Sequence, residues 1–250
     1  MDAGARTGPI VVVVAGGDPI DPVVLQRLPP GARVIAADSG LDHAVALGLH
    51  VDVVVGDLDS ATAAAVAVAS AAGASIERHP VAKDQIDLEL ALDAARASGA
   101  RRVVVIGGHG GRVDMFLANA LLLASPAYAG MAVEAYAGIA RLYVARGEVV
   151  IEGRRGEVLT LLPVHGPVLG VRTHGLRYPL RDETLPAGTS RGCSNEMTGP
   201  IARITSTDGT LLCVLPGTSF HSVGPLAGQL AGHPAGHPAG HPANHDKGAQ

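Results

Sequence analysis

Short apolar runs alternate with longer segments of helical pattern over the first part of the chain. The predicted strands are Ile10 to Ala15, Val34 to Ala37, Val51 to Val55, Arg102 to Ile106 and Met131 to Ala135. Each run is nearly all apolar, as expected for strands that are covered on both faces. Strands that alternate with helices are typical of βαβ units around a parallel sheet. We therefore predict a doubly wound α/β domain with a mostly parallel sheet over residues 1–139.

The helices between these strands have recognisable starts and ends. Asp21 and Ser60 are good N-cap residues for the segments that follow them, because their side-chain oxygens can accept backbone N–H bonds. Gly73 and Gly99 are natural helix ends, since glycine readily adopts the left-handed conformation of a C-terminal cap. Two further helices are predicted after the KDQID and GGHGGR segments.

The helical periodicity disappears after about residue 140. Short strand-like pieces replace it, separated by Gly, Pro and charged turns. They are Leu142 to Ala145, Glu148 to Ile151, Val158 to Leu162, Val168 to Thr173, Ile201 to Thr205 and Leu211 to Leu215. This spacing is typical of a small antiparallel sandwich. We predict a C-terminal all-β sandwich domain over residues 140–220.

Residues 221–250 have a different character, because GHPA repeats there in units of four. Proline is too frequent for a helix and nothing is apolar enough to pack, so we predict a disordered tail. Histidine recurs at His233, His237, His241 and His245. These side chains could loosely chelate a transition metal, but a solvated low-complexity extension is the preferred interpretation.

Composition and charge exclude several classes of protein. A formal net charge of −4 and an aromatic content of 2% argue against a dedicated nucleic-acid binder. Cys193 and Cys213 are the 2 cysteines, too few for a disulfide framework or a four-thiolate metal site. The N-terminus lacks the apolar core of a signal peptide, and the apolar runs are shorter than the roughly 20 residues that cross a bilayer. We expect a cytoplasmic protein without a membrane span.

Acidic side chains gather directly after the predicted strands. Asp38 follows the second strand, and Asp57 and Asp59 follow the third. The carboxyl ends of strands form the ligand crevice of an open α/β sheet. If the chain stays extended there, alternation aims Asp57 and Asp59 to the same side and gives two oxygen donors that suit Mg²⁺. Asp84 and Asp87 stand three positions apart at a predicted helix start, so we expect them to share a face.

These carboxylates point to a metal more strongly as a group than singly. Any one of them could be a helix cap or a turn former. Together at one sheet edge they would repel one another unless cations lay among them. The sequence therefore predicts a Mg²⁺ site at the carboxyl ends of the strands.

A glycine-rich turn, GGHGGRVD, follows the fourth predicted strand. Gly108 and Gly111 let backbone N–H groups approach a phosphate, and the helix that begins near Val113 points its positive end the same way. Arg112 adds a forked donor for phosphate oxygens and Asp114 adds a carboxylate. Neither a GK[ST] P-loop nor a GxGxxG after the first strand is present. The pattern therefore indicates a less usual site for a magnesium nucleotide.

The order of these motifs resembles the thiamine pyrophosphokinase (thiamine diphosphokinase) family. The motifs are ADSG, VVVGDLDS, KDQIDLELAL and GGHGGRVDMFLAN, followed by GLRYPL and SRGCSNE, over about residues 10–217. Members of that family join an α/β catalytic domain to a β-sandwich and act as homodimers. They use Mg²⁺ to transfer the pyrophosphoryl group of ATP to the hydroxyl of thiamine, releasing AMP. Their thiamine site lies at the dimer interface.

The resemblance implies a role for individual residues. It gives Asp57, Asp59 and Asp87 as Mg²⁺ ligands. It implies that Lys83 and Arg112 bind the ATP phosphates and that Asp38 and Asp114 orient the nucleotide and the reacting groups. It implies that Tyr178, Ser194 and Asn195 line the thiamine pocket. The catalytic candidates are then Asp57, Asp59, Asp84, Asp87, Arg112 and Asp114, with Asp38, Lys83, Gly108, Gly111 and Arg112 binding nucleotide.

Three positions depart from the family pattern. Ile86 stands where the family usually has Thr, Met115 where it has His, and Thr160 where it has Ser. The position at which the family stacks thiamine on Trp is Tyr178 in this chain. These changes leave two alternatives open. One is a related diphosphokinase acting on another heterocyclic alcohol, such as a hydroxymethylpterin. The other is a non-catalytic protein that binds nucleotide or thiamine on the same fold.

Overall fold

Six parallel strands form the N-terminal half of a mixed sheet in the computed structural model, which describes residues 8–82 and 84–217. They are β1 (Ile10–Val14), β2 (Arg33–Ala37), β3 (Val53–Gly56), β4 (Ser75–Arg78), β5 (Arg102–Ile106) and β6 (Ala132–Ala137). Their order is β4-β3-β2-β1-β5-β6, and each neighbouring pair is parallel. The predicted α/β half with a mostly parallel sheet is confirmed.

Helices cover both faces of this sheet. They are α1 (Gly40–Ala46), α2 (Ala63–Ala71), α3 (Asp87–Ala97) and α4 (Val113–Leu123), with short 3-10 helices at Pro22–Arg27 and Pro126–Tyr128. Alternate residues of β1 enter different cores. Val11 and Val13 pack with residues of α3 and α4, whereas Val12 and Val14 pack with residues of α1 and α2. Burial on both faces explains why the inner strands β1, β2, β3 and β5 are nearly all apolar, whereas the edge strand β4 is polar and mostly exposed.

Most predicted helix ends are confirmed, but one N-cap is wrong. Asp21 accepts a hydrogen bond from Val23 N at 2.9 Å, although it heads a 3-10 helix. Gly73 and Gly99 follow α2 and α3 with positive φ of 92° and 78°. Ser60 does not cap α2. Thr62 does, accepting from Ala65 N at 3.2 Å, because Asp42 holds Thr62 in place through its backbone N–H and its hydroxyl.

Antiparallel strands continue the sheet through the C-terminal half. They are β7 (Ala140–Ala145), β8 (Glu148–Glu152), β9 (Val158–His174), β10 (Arg181–Leu185), β11 (Asn195–Glu196), β12 (Ile201–Thr205) and β13 (Asp208–Leu215). The order runs on from β6 as β7-β13-β9-β12-β8, while β10 and β11 pair with β9. This half has its own core of buried side chains, among them Ile151, Leu159 and Leu185. The predicted C-terminal β-rich half is confirmed.

One long strand joins the sheets of the C-terminal half. The two strands predicted at residues 158–162 and 168–173 are parts of the single 17-residue strand β9. Its first part pairs with β13 and its second part with β12 and β10. Positive φ at His165 and Gly170 bends the strand between these pairings. The turn residues that suggested an interruption are therefore a bulge within one strand.

Several predictions concern residues beyond these elements. The histidine repeat of residues 221–250 and Lys83 lie outside the described residues. The described residues belong to one compact unit that ends at Gly217, and the boundary near residue 139 stays a prediction. No helix in the described ranges is long and apolar enough to cross a membrane.

Close packing between α1 and β1 gives a prediction about stability. A Cβ on Gly40 would lie 2.1 Å from the carbonyl oxygen of Val14, which is backbone and cannot turn away. Such overpacking costs about 1–3 kcal/mol. The roughly 1 kcal/mol that alanine gains over glycine applies to helix interiors, whereas Gly40 is the first residue of α1. Gly40→Ala should therefore lower the free energy of unfolding measured with denaturant.

Gly130→Ala is the matched control, because a Cβ there meets no atom within 4 Å. Equal stability of the two variants would show that α1 can move away from β1 without cost.

Candidate active site

A cleft of about 500 Å³ lies at the carboxyl ends of β1, β2 and β5. Two loops that follow β1 and β5 form one side of it, and two backbone hydrogen bonds join them. Gly108 N donates to Gly16 O at 2.7 Å, and Asp18 N donates to His109 O at 2.8 Å. A Cβ on Gly110 would lie 1.9 Å from Cγ of Asp18, and the φ of 89° at this position also favours glycine. The glycine-rich turn therefore serves close loop packing as well as any phosphate.

Three carboxylates meet beside this cleft. One oxygen from each of Asp38, Asp57 and Asp59 lies within 4.8 Å of the others. Asp38 follows β2 directly, with a φ of 44°, and Asp57 follows β3. Asp38 also lines the cleft and so connects the group to it.

The geometry that joins Asp57 and Asp59 differs from the predicted one. The chain is not extended there, because Leu58 between them has a φ of 64°. Asp59 N donates to Asp57 Oδ1 at 3.2 Å, which closes a tight turn. The expectation of an alternating extended pair was wrong, yet the turn still brings the two carboxylates to one point.

Asp38 is the most buried member of the group, with 5% of its surface exposed. Burial raises its pKa above the ordinary value, and the charges of Asp87 and Asp57 raise it further, while a hydrogen bond from the Ser39 backbone opposes them. Its Oδ1 atom is buried without a hydrogen-bond donor. A bare oxygen beside two further carboxylates fits a hard divalent cation such as Mg²⁺.

Helix α1 holds the surrounding loops in place. His43 Nε2 lies 3.1 Å from Gly17 O in the loop after β1. Asp42 Oδ2 accepts from Thr62 N at 3.0 Å, and its other oxygen accepts from the Thr62 hydroxyl. Both contacts start from one turn of α1, which itself begins directly after Asp38 and Ser39. The acidic loop and the loop after β1 are thereby tied to the same short helix.

The acidic pair of the KDQID segment separates in the structure. Helix α3 begins at Asp87 with Ile86 as its N-cap, so Asp84 precedes the helix and does not share a helical face with Asp87. Asp87 lines the cleft and acts on the pKa of Asp38. Asp84 is exposed and is absent from the cleft lining among the residues described. A metal-ligand role for Asp87 stays a prediction.

The predicted phosphate-binding residues lie on one side of the cleft. Gly108, Gly111 and Arg112 line it, and α4 begins directly after Arg112. The Arg112 guanidinium pairs with Asp114 at 2.6 Å, and this hydrogen bond lowers the pKa of Asp114. Both side chains are largely exposed. A phosphate would therefore compete with Asp114 for the guanidinium.

The predicted thiamine residues lie in the C-terminal half, and the lining of the cleft, so far as it is described, includes none of them. The Tyr178 side chain is exposed, whereas Asn195 is buried and holds the Tyr178 backbone. Asn195 Oδ1 accepts from Tyr178 N at 3.0 Å, and Nδ2 donates to Tyr178 O at 2.7 Å. Ser194 has a φ of 53°, and its backbone N–H donates to Thr160 Oγ1. Their roles with thiamine stay predictions.

Sequence reasoning missed several residues of the cleft. Asp18 and Ser39 line it, and His109 was treated only as part of a glycine cluster. Asn119 also lines it and donates to Gly108 O at 3.0 Å, which fixes the glycine-rich loop. Asp18 follows β1 at the same sheet edge as Asp38, so the rule that strand ends form the crevice could have found it.

Two family models match the chain. The one described as thiamin pyrophosphokinase, catalytic domain, matches residues 28–135. The one described as thiamin pyrophosphokinase, vitamin B1 binding domain, matches residues 148–211.

The chain belongs to the thiamin pyrophosphokinase family. The sequence matches no curated protein.

Solved structures of thiamin pyrophosphokinases share the fold. The enzyme from Bacillus subtilis has a TM-score of 0.74 and 23% identity, covering 84% of this chain and 99% of that chain. The enzyme from Geobacillus thermodenitrificans has a TM-score of 0.71 and 24% identity, covering 84% of this chain and 99% of that chain. The enzyme from Candida albicans has a TM-score of 0.66 and 16% identity, covering 82% of this chain and 88% of that chain.

The two departures from the family pattern in the α/β half are both in the cleft. Ile86 and Met115 line it, together with Leu88 and Phe116. Asp38 and Asp87 also line it. The cleft of this thiamin pyrophosphokinase family member thus combines an apolar set of side chains with an acidic one.

Asp38→Asn should stabilise the metal-free protein at about pH 8. The folded-state pKa of Asp38 is raised, so the folded state binds this proton more tightly than the unfolded state does. Stability of the unaltered protein therefore falls as pH rises through that pKa. The gain from Asn should shrink as pH falls toward the ordinary Asp value of 3.8.

Added Mg²⁺ should make the unaltered protein more stable than the Asp38→Asn variant. A ligand that binds only the folded state stabilises it, and the variant lacks one carboxylate of the predicted Mg²⁺ site. Thermal unfolding over this pH range, with and without Mg²⁺, checks both effects. If the metal-free Asp38→Asn variant is no more stable than the unaltered protein, then burial of the Asp38 carboxylate does not destabilise the fold.

Proposed function

We propose that the protein is a Mg²⁺-dependent thiamine diphosphokinase. It transfers the pyrophosphoryl group of ATP to the hydroxyl of thiamine and forms thiamine diphosphate and AMP. The observation that carries this proposal is the match of both halves of the chain to the catalytic and the vitamin B1 binding models of one family. The cleft with its carboxylates and glycine-rich loop lies within the catalytic match.

The chain's own groups suit this transfer. The backbone N–H groups near Gly111 and the N-terminus of α4 can bind phosphate oxygens, whereas Gly108 N already donates to Gly16 O. Arg112 can add a forked contact once phosphate replaces Asp114. Asp38, Asp57 and Asp59 would hold Mg²⁺, which when bound neutralises phosphate charge and aligns the phosphate oxygens. Transfer of this kind depends mainly on positioning and charge neutralisation.

We further propose that the protein is a homodimer in which Tyr178 of one subunit faces the acidic loops of the other. The cleft lining described for one chain includes none of the predicted thiamine residues, which supports a second subunit as their partner. Val113, Leu117 and Leu121 form an exposed apolar stripe along α4 beside the cleft, and such a stripe suits a subunit contact.

We place this enzyme in the cytoplasm. Free Cys193 and Cys213 support this assignment, because thiols stay reduced there.

A diphosphokinase acting on another heterocyclic alcohol is the second candidate. Ile86 and Met115 favour it, because both line the cleft where the family pattern has a hydroxyl and an imidazole. Competition between thiamine and a hydroxymethylpterin for the ATP-loaded protein separates the two candidates.

Purified protein with thiamine, ATP and Mg²⁺ should release AMP and thiamine diphosphate. Asp57→Asn should lower kcat/KM by about 100-fold or more, since metal-ion stabilisation of a transition state is worth several kcal/mol. Circular dichroism should show that the variant stays folded. Asp182→Asn, an exposed acid paired with Arg172, is the control and should keep its activity.

No AMP release by the unaltered protein over a range of divalent metals would reject the proposed reaction. An Asp57→Asn variant with most of its activity would assign Asp57 to the turn alone.

Tyr178→Ala should weaken thiamine binding about tenfold, because an aromatic stacking contact contributes about 0.5–1.5 kcal/mol beyond its buried area. ATP binding should change little, since the cleft lining described does not include this ring. Tyr178→Phe keeps the ring and serves as the control. Calorimetric titration with each ligand measures both affinities. Equal losses for thiamine and ATP would indicate a damaged fold, and no loss would show that the ring does not contact thiamine.

A further inference from the structure

Tyr178 is the one exposed aromatic side chain among residues 8–82 and 84–217, with 53% of its surface accessible. It lies within the residues matched by the vitamin B1 binding model. The other aromatic residues in these ranges are buried or half-buried. An exposed ring on a β-rich surface offers a flat face to a ligand.

The backbone beneath this ring is fixed. Asn195 binds both the N–H and the carbonyl of Tyr178 and also accepts from Glu196 N at 2.9 Å. Arg177 N donates to Glu196 O at 2.8 Å, and Leu176 forms a β-bridge with Met197. Two short segments are thus paired side by side, with Arg177 and Tyr178 on one and Glu196 on the other.

A charged pair lies against the ring. The Cζ atom of Arg177 is 5.6 Å from the centroid of the Tyr178 ring, a cation–π distance. The same guanidinium pairs with Glu196, with Arg177 Nη1 3.0 Å from Oε2. Glu196 therefore balances the positive charge that Arg177 brings to the ring.

This charge matters for a ligand on the opposite face of the ring. A stacked ring lies about 3.5 Å from the tyrosine plane, so its centre would be about 9 Å from the guanidinium. That separation is within the screening length of about 10 Å at 0.1 M salt. Without Glu196, Arg177 would repel a cation stacked there. The thiazolium ring of thiamine is such a cation.

We propose that Glu196 is a specificity-determining residue, whose carboxylate neutralises Arg177 so that the Tyr178 ring accepts a cationic heterocycle. The identity of the ligand as thiamine rests on the proposed function. Glu196 affects the ligand by neutralising Arg177 beside the ring, so its effect depends on the charge of the ligand more than on the ligand's shape.

The test compares thiamine with its neutral thiophene isostere, which has the same shape without the charge. Affinities are measured by calorimetry on the full chain with Mg²⁺ and a non-hydrolysable ATP analogue. Glu196→Gln should weaken thiamine binding about fivefold. This factor corresponds to the repulsion between unit charges about 9 Å apart at an effective dielectric constant of about 40. The affinity for the neutral isostere should change less than about twofold.

Three controls separate charge from structure. Glu196→Asp should restore most of the thiamine affinity. Asp182→Asn removes the acid of another exposed pair, Arg172 with Asp182, and should leave both ligands unaffected. At about 0.5 M salt, Glu196→Gln should change the affinities for thiamine and for the isostere by nearly the same factor, because screening of charges is then strong.

Equal weakening of both ligands would overturn the proposal and leave Glu196 a structural residue. Unchanged thiamine affinity, or no binding of thiamine by the unaltered protein, would overturn it as well. Failure of AMP release alone, with thiamine bound in this charge-dependent way, would reject the proposed reaction while supporting the role of Glu196.

Discussion

The close backbone approach of the loops after β1 and β5 is the constraint on which the site depends. Gly108 N and Asp18 N bind carbonyls of the opposite loop, and a Cβ at Gly110 or Gly17 would collide with the facing loop. The strands are neighbours in a parallel sheet, so their ends meet at one edge. Because the loops are this close, the cleft is walled by backbone on one side. A glycine-rich wall lets a phosphate approach the backbone closely.

The acidic group depends on the same edge. Asp38 leaves β2 next to these loops and is buried there, so little water screens its carboxylate, whereas Asp57 is half-buried and Asp59 is exposed. A protein that holds like charges this way loses stability that a bound cation can return. Binding of a cation at the proposed Mg²⁺ site would therefore stabilise the folded protein.

The sequence predicted the strands that are continuous apolar runs, but it missed the polar strand β4 and the charged strand β10. Strands β5 and β12 have the predicted bounds, because apolar runs between charged turns mark them clearly. Helix α1 was missed, since seven residues that begin with glycine carry little helical signal. The left-handed turn at Leu58, the pairing of Asp18 with His109 and the continuity of β9 come from contacts distant in sequence. Local pattern cannot predict such contacts, although it did place the carboxylates at the correct edge.

Strand β13 has a consequence for how the chain is made. It lies between β7 and β9 in the sheet, yet it comes last among the described strands. The parallel half can assemble while later residues are still being synthesised, but β7 and one side of β9 keep unpaired backbone edges until β13 arrives. A nascent chain that stalls before residue 208 therefore presents two open strand edges to its neighbours.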